Sequence, residues 1–99
     1  MIGKINQVKQ AEQIKARINS EFDRIARALV SSAAKQAGQD RTDTEAVLVI
    51  LEDKRTEVME KDQASYFVNN WKDLSDEVRA KIVQDQRYRD LNTQRARRR

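Results

Sequence analysis

Apolar side chains recur at spacings of three and four along the first third of the chain. The repeated positions are Val8, Ala11, Ile14, Ile18, Phe22, Ile25, Leu29 and Ala33. This spacing is typical of one face of an α-helix, and it predicts a long amphipathic helix over residues 3–37. Gly38 follows the predicted helix and is expected to end it, because glycine readily adopts the left-handed conformation found at helix C-termini. The alternative is a break at Asn19-Ser20, with Ser20 capping a second helix.

Within this helix, residues 25–34 are apolar or small on nearly every side. Small side chains let another backbone approach closely, so we expect this part to be the most buried. At 1.5 Å per residue the predicted helix would be roughly 50 Å long. A compact domain of this size has a radius of gyration of only about 13 Å. The helix therefore protrudes, breaks or packs on another chain.

The second apolar segment is a run of six residues, Ala46-Val47-Leu48-Val49-Ile50-Leu51. Periodicity alone does not separate a short buried strand from a helix here. Thr42 and Glu45 fit a capping box, which favours a helix over residues 43–62. The chain also has no second convincing strand, so a strand at this position would most simply pair with its own copy.

The third segment has apolar positions spaced by four, three, four and four residues, at Phe67, Trp71, Leu74, Val78 and Ile82. This spacing predicts helices near residues 64–72 and 76–92, with Ser75 as the cap of the second. Beyond about Asn92 no apolar face remains, so residues 93–99 are predicted to form a flexible arm. The fold class is therefore all-α: one small helical bundle over residues 1–92.

The predicted core is thin for such a bundle. The chain has 99 residues, of which 38% are hydrophobic and five are aromatic. A chain of this size buries only about two-thirds of its unfolded surface. We therefore expect oligomerisation to complete the core, through an interface at Ile14, Ile18, Phe22, Ile25 and Leu29. The aromatic cluster Tyr66, Phe67 and Trp71 belongs to the core or, alternatively, forms a patch for a partner, since aromatic residues dominate interfaces.

Residue types that carry most side-chain chemistry are missing. The sequence has no histidine, no cysteine and no proline, so nucleophile–histidine pairs are excluded. A metal site would need carboxylates alone, and the acidic pairs present are interpreted as solvated helix faces. Phosphate-cradling loops need clustered glycines, whereas this chain has two glycines far apart. We predict no enzyme activity, no catalytic residue, no metal site and no cofactor.

Charge is arranged in three blocks. Residues 1–39 carry seven basic and three acidic groups, residues 40–83 seven basic and eleven acidic, and residues 84–99 six basic and two acidic. We expect the basic first block to pack on the acidic middle block, which leaves the last block facing outward. The acidic middle also argues against a helix-turn-helix, because phosphates would repel its second helix.

The basic groups of the last block are all arginines, whose guanidinium groups match phosphate and carboxylate oxygens. They are Arg87, Arg89, Arg95, Arg97, Arg98 and Arg99. Three interpretations stay open: non-specific contact with nucleic acid, docking on an acidic protein surface (including the acidic middle of a neighbouring copy), or a solubilising tail.

Two function classes remain. The first is a non-catalytic helical interaction module of assembly, adaptor or inhibitor type, which self-associates and binds an unidentified protein. The alternative is a small nucleic-acid-binding accessory protein, including a virion or packaging component; a virus-type inhibitor would combine both classes. No apolar run approaches the ~20 residues of a membrane span, and the N-terminus has no signal-peptide pattern. We therefore expect a cytoplasmic protein without membrane contact.

Overall fold

The computed structural model describes residues 1–98 and contains five helices. They are α1 (Ile5–Ala34), α2 (Gly38–Met59), α3 (Ala64–Asn70), α4 (Leu74–Gln84) and α5 (Gln86–Arg97). The predicted all-α class is confirmed, and residues 46–51 lie inside α2 rather than in a strand. The molecule is elongated, with extents of 52 × 24 × 19 Å and a radius of gyration of 15.7 Å. The length follows from α1, whose 30 residues span about 45 Å.

Helix α1 runs without interruption, so the alternative break at Asn19-Ser20 does not occur. The chain reverses just after it, and Ala37 has extended backbone angles. Gly38 then adopts a left-handed φ of +59°, but it begins α2 instead of following α1 directly. Thr42 consequently lies inside α2, where its hydroxyl donates to the Gly38 carbonyl at 3.2 Å. The predicted capping box is therefore wrong, because α2 starts one turn earlier.

The predicted helix over residues 76–92 is two helices separated by Asp85. This residue has extended angles (φ −70°, ψ 132°), and its Oδ1 accepts from the Arg87 amide at 2.9 Å. It therefore ends α4 and caps α5. Helix α4 is capped by Asp73, which accepts from the Asp76 amide at 3.1 Å, and not by Ser75. Helix α5 extends through Arg97 and passes the predicted limit near Asn92.

Helices α1 and α2 form an antiparallel hairpin, and α3 and α4 cover one side of it. Helix α5 packs on α2 and α4. The core between these helices contains Ala11, Ile18, Phe22, Ile50, Leu51, Val58, Ala64, Phe67, Trp71, Val78 and Ile82. The N-terminus joins the connection between α2 and α3, since the Ile2 amide donates to the Asp62 carbonyl at 2.6 Å and the Ala64 amide to the Ile2 carbonyl at 2.8 Å.

Candidate interaction surfaces

The predicted oligomer interface is largely covered within one chain. Ile18 and Phe22 have no exposed surface, while Ile14, Ile25 and Leu29 are half-buried against the same core. The apolar stripe of α1 is therefore satisfied by α2, α3 and α4, and no second copy is needed to cover Ile18 and Phe22. Self-association stays a prediction. Of the five predicted residues, only Ile14, Ile25 and Leu29 still have surface to offer.

An apolar groove lies at the distal end of the helix hairpin, where α1 ends and α2 begins. It has a volume of about 300 Å³. Its walls come from α1, the end of α4 and the start of α5, and α2 contributes one residue. The lining residues are Ile25, Leu29, Val47, Arg79, Ile82, Val83 and Tyr88. Within residues 1–98, no carboxylate lines this groove, and its one charged group is the guanidinium of Arg79.

The α1 surface beside the groove is also uncovered. Among residues 25–34, which we expected to be the most buried part of α1, only Ala33 is buried. Ala28 and Ser32 are exposed on the face of α1 that carries Ile25 and Leu29, whereas Val30, which is 55% exposed, lies on another face of the helix. The tertiary structure explains why residues 25–34 are more exposed than expected. In the described structure α5 makes no contact with α1 and therefore leaves this surface uncovered. Small residues are therefore present on a face that the chain itself leaves open.

The aromatic cluster lies mainly in the core. Phe67 is fully buried and Trp71 is 5% exposed, whereas Tyr66 is half-buried and meets the Phe67 ring edge-on, with centroids 5.1 Å apart. The Lys81 ammonium lies over the Trp71 ring at 5.3 Å from its centroid. Of the three residues, only Tyr66 retains substantial surface for a partner.

The first arginine of α5 lies at the junction of three elements. Arg87 Nη1 donates to Asp53 of α2 at 2.6 Å, and its Nε and Nη2 donate to Asp85 at 3.0 Å each. Lys54 of α2 lies 3.2 Å from the same Asp85 carboxylate. Hydrogen bonds from the Arg87 side chain, above all, hold the pKa of Asp85 well below its ordinary value. The pKa of Arg87 is raised for the reciprocal reason.

The end of α5 lies on a buried carboxylate near the start of α2. Asp43 is only 3% exposed. Its Oδ2 accepts from Arg98 Nη2 at 2.6 Å and lies 3.8 Å from Arg95 Nε, and its Oδ1 accepts from Gln39 at 2.8 Å. Burial of this charge is tolerable because it is paired and hydrogen-bonded. The residues beyond Asn92 thus contact the acidic helix of their own chain.

Five of the six predicted polyanion contacts are described by the structure, and they divide into two groups. Arg87, Arg95 and Arg98 face carboxylates of the same chain, so the expectation that the last block faces outward is wrong for them. Arg89 and Arg97 are exposed and form no ion pair within residues 1–98. Arg99 lies outside the described residues.

The first charge block packs on the middle block as expected, but not through the expected charges. The described ion pair between α1 and α2 joins Asp23 to Arg55 at 2.7 Å, which is the reverse of the expected polarity. The signal that could have located α5 was the excess of carboxylates in residues 40–83 beside the excess of arginines in residues 84–99. Opposite charges of that size within one chain attract each other as readily as they attract a partner.

Within residues 1–98, carboxylates form no cluster of three or more that could hold a metal ion. No helix in the described part of the chain is long and apolar enough to cross a membrane. No family model, curated protein or solved structure matches this chain.

Proposed function

We propose that this chain is a non-catalytic helical interaction module that receives an acidic amphipathic helix of another protein in its distal groove. One observation supports this most: the groove is apolar, open and free of carboxylates, although the chain as a whole is rich in charge. A helix laid in such a groove would bury its apolar face against Ile25, Leu29 and Val83, a recurring mode of peptide recognition.

Helix packing favours this occupant. Near the groove, α5 covers α2 but does not reach α1, so the distal half of the bundle lacks a neighbour between α1 and α5. Exposed Ala28 and Ser32 on α1 would let the backbone of an incoming helix approach closely. An incoming helix at this position would pack on Leu29 and Val47 and add one helix to the four that line the groove.

Charge favours an acidic helix over a second copy. Arg79 lines the groove and would pair with a carboxylate of the occupant. A symmetric dimer formed groove to groove would instead bring the two Arg79 side chains toward each other. The acidic helix of this chain, α2, is not free to dock, because its Ile50, Leu51 and Val58 are buried in the core.

Binding of a synthetic helix tests the proposal. The probe is a fluorescent amphipathic peptide of about four turns, with leucines on one face and glutamates on the other, and the comparison peptide has lysines in place of the glutamates. We expect the acidic peptide to bind at micromolar concentration and the lysine peptide to bind at least tenfold more weakly. Equal binding of both peptides, or binding of neither, would refute the proposal.

A matched pair of variants locates the contact. Val83→Glu adds a carboxylate to the groove wall at a position that is 51% exposed, so the fold should tolerate it. Val30→Glu adds the same charge to α1 at a position that is 55% exposed and outside the groove lining. Val83→Glu should weaken binding at least tenfold, a loss of about 1.4 kcal/mol or more, because its carboxylate lies in the groove wall. Val30→Glu should leave binding within about twofold.

Light scattering of the wild type distinguishes a second copy of the chain from an acidic helix as the occupant of the groove. A dimer that forms with rising concentration and that Val83→Glu dissociates would make a second copy the occupant, as the sequence-based interface predicts. A monomer that binds the acidic peptide supports the proposal as stated.

The nucleic-acid alternative has less structural support. Phosphates would have to displace carboxylates from Arg87, Arg95 and Arg98, while Arg89 and Arg97 remain available. Within residues 1–98, these two arginines would give a slope of log affinity against log salt of about −2 on duplex DNA. A slope near zero, or no affinity at low salt, would exclude this alternative.

A further inference from the structure

We propose that α5 is an electrostatic strap, which docks on α2 through two groups of ion pairs and detaches as a unit when these are weakened. This inference concerns a different surface from the distal groove and does not depend on it. The first ion-pair group joins Arg87 to Asp53, and the second joins Arg95 and Arg98 to Asp43. The two groups hold opposite ends of the helix.

Apolar packing contributes little to holding α5. No residue of α5 is buried, and its half-buried apolar side chains are Tyr88 and Leu91. A cleft of about 460 Å³ remains open between α5 and α2. It is lined by Ala46, Val49 and Ile50 of α2 together with Arg87, Asp90, Leu91 and Gln94 of α5. The cleft is open to solvent, so Ala46 and Val49 of α2 along it are only partly covered by α5.

The chain is also built to let α5 move as one piece. A single non-helical residue, Asp85, separates it from α4. Rotation about the extended backbone of Asp85 would swing α5 away without disturbing the buried Val78 and Ile82 of α4. The cap on the Arg87 amide lies at the pivot itself, where Lys54 of α2 also holds the Asp85 carboxylate at 3.2 Å.

Detachment does not leave an unpaired charge in the core. Asp43 is buried, but the groups on its Oδ2 are the arginines of α5. When α5 lifts, water replaces them, and Gln39 continues to donate to Oδ1. The event would expose Ala46 and Ile50, so the attached state is favoured while the ion pairs hold.

Thiol labelling tests the strap, because the chain has no cysteine of its own. A single cysteine in place of Ala46 lies in the cleft under α5, one in place of Ala28 is exposed on α1, and one in place of Ala11 is fully buried in the core. Each is reacted with a neutral maleimide in the wild-type background and in Asp43→Asn/Asp53→Asn. The two asparagines keep the side-chain shape and remove the charges that hold α5.

In the double variant we expect the cysteine at position 46 to react roughly three- to tenfold faster, from the loss of partly exposed ion pairs. The cysteines at positions 28 and 11 should react at unchanged rates. Raising NaCl from about 20 mM to about 0.5 M should accelerate position 46 in the wild type and have little effect in the double variant, because salt screens only charges that are present.

A matched charge removal serves as the control. Glu45→Gln removes an exposed carboxylate of α2 that pairs with Arg41 at 3.0 Å and not with α5, so position 46 should keep its wild-type rate. The strap is overturned if the rate at position 46 is the same in the wild type and in Asp43→Asn/Asp53→Asn. It is equally overturned if position 11 accelerates in parallel, since the whole domain would then be opening.

Discussion

Truncation of Phe22 is expected to destabilise the fold of the single chain, and not an interface between copies. The ring has no exposed surface, and the Arg55 guanidinium carbon lies 5.9 Å from its centroid. Phe22→Ala should lower the free energy of unfolding by about 3–5 kcal/mol, the range for a buried phenylalanine. A domain of 99 residues has roughly 5–15 kcal/mol of stability in total, so the variant retains a reduced margin. Phe22→Leu keeps most of the apolar volume and should cost about 1 kcal/mol.

Urea denaturation followed by Trp71 fluorescence measures these losses. The titration is run at about 1 µM and about 50 µM protein, because the stability of an oligomer depends on concentration, whereas that of a monomer does not. For the wild type and for both variants, the urea midpoint should be the same at the two protein concentrations. Val30→Ala, at a position that is 55% exposed, should change stability by less than about 0.5 kcal/mol.

Two results would refute this reasoning. A loss below about 1 kcal/mol in Phe22→Ala would mean that the ring is not packed in the core. A wild-type midpoint that rises with protein concentration and ceases to do so in Phe22→Ala would place Phe22 in an oligomer interface, as the amphipathic stripe predicts.

The remaining predictions concern burial, backbone conformation and titration. Trp71 should emit at a shorter wavelength than free indole in water, since it is 5% exposed; a water-like maximum in the folded protein would remove it from the core. Gly38→Ala should cost about 1 kcal/mol in urea denaturation because of the positive φ, and an unchanged midpoint would contradict that conformation. The pKa of Asp85 is lowered by Arg87, so its charge stabilises the folded state above about pH 4, the ordinary range of aspartate, and this contribution is lost as pH falls. Asp85→Asn should therefore be less stable than the wild type at pH 7, and the difference should shrink only as pH falls well below about 4, through the lowered pKa of Asp85; a difference independent of pH would exclude the ionised carboxylate as the cause.

Local patterns in the sequence were sufficient for the helices and for much of the core. The three- and four-residue spacing of Ile18, Phe22 and Ile25 identified α1, because side chains at that spacing meet on one helix face whatever lies opposite. The same reasoning placed Phe67 and Trp71 in one cluster. Boundaries were less accurate, as at Asp85, where a cap formed by a side chain within two residues competes with continuing the helix.

The covering of α1 and the position of α5 were decided by tertiary structure. Whether an apolar stripe is covered by its own chain or by a copy depends on where the later helices return, and the α1 sequence carries no such information. Likewise, Arg87 meets Asp53 across 34 residues and Arg98 meets Asp43 across 55. Attraction between opposite charges is non-local and has no sequence period. Composition therefore indicated only that the arginines would contact carboxylates. Only the folding of α5 back along α2 determined which carboxylates they reach.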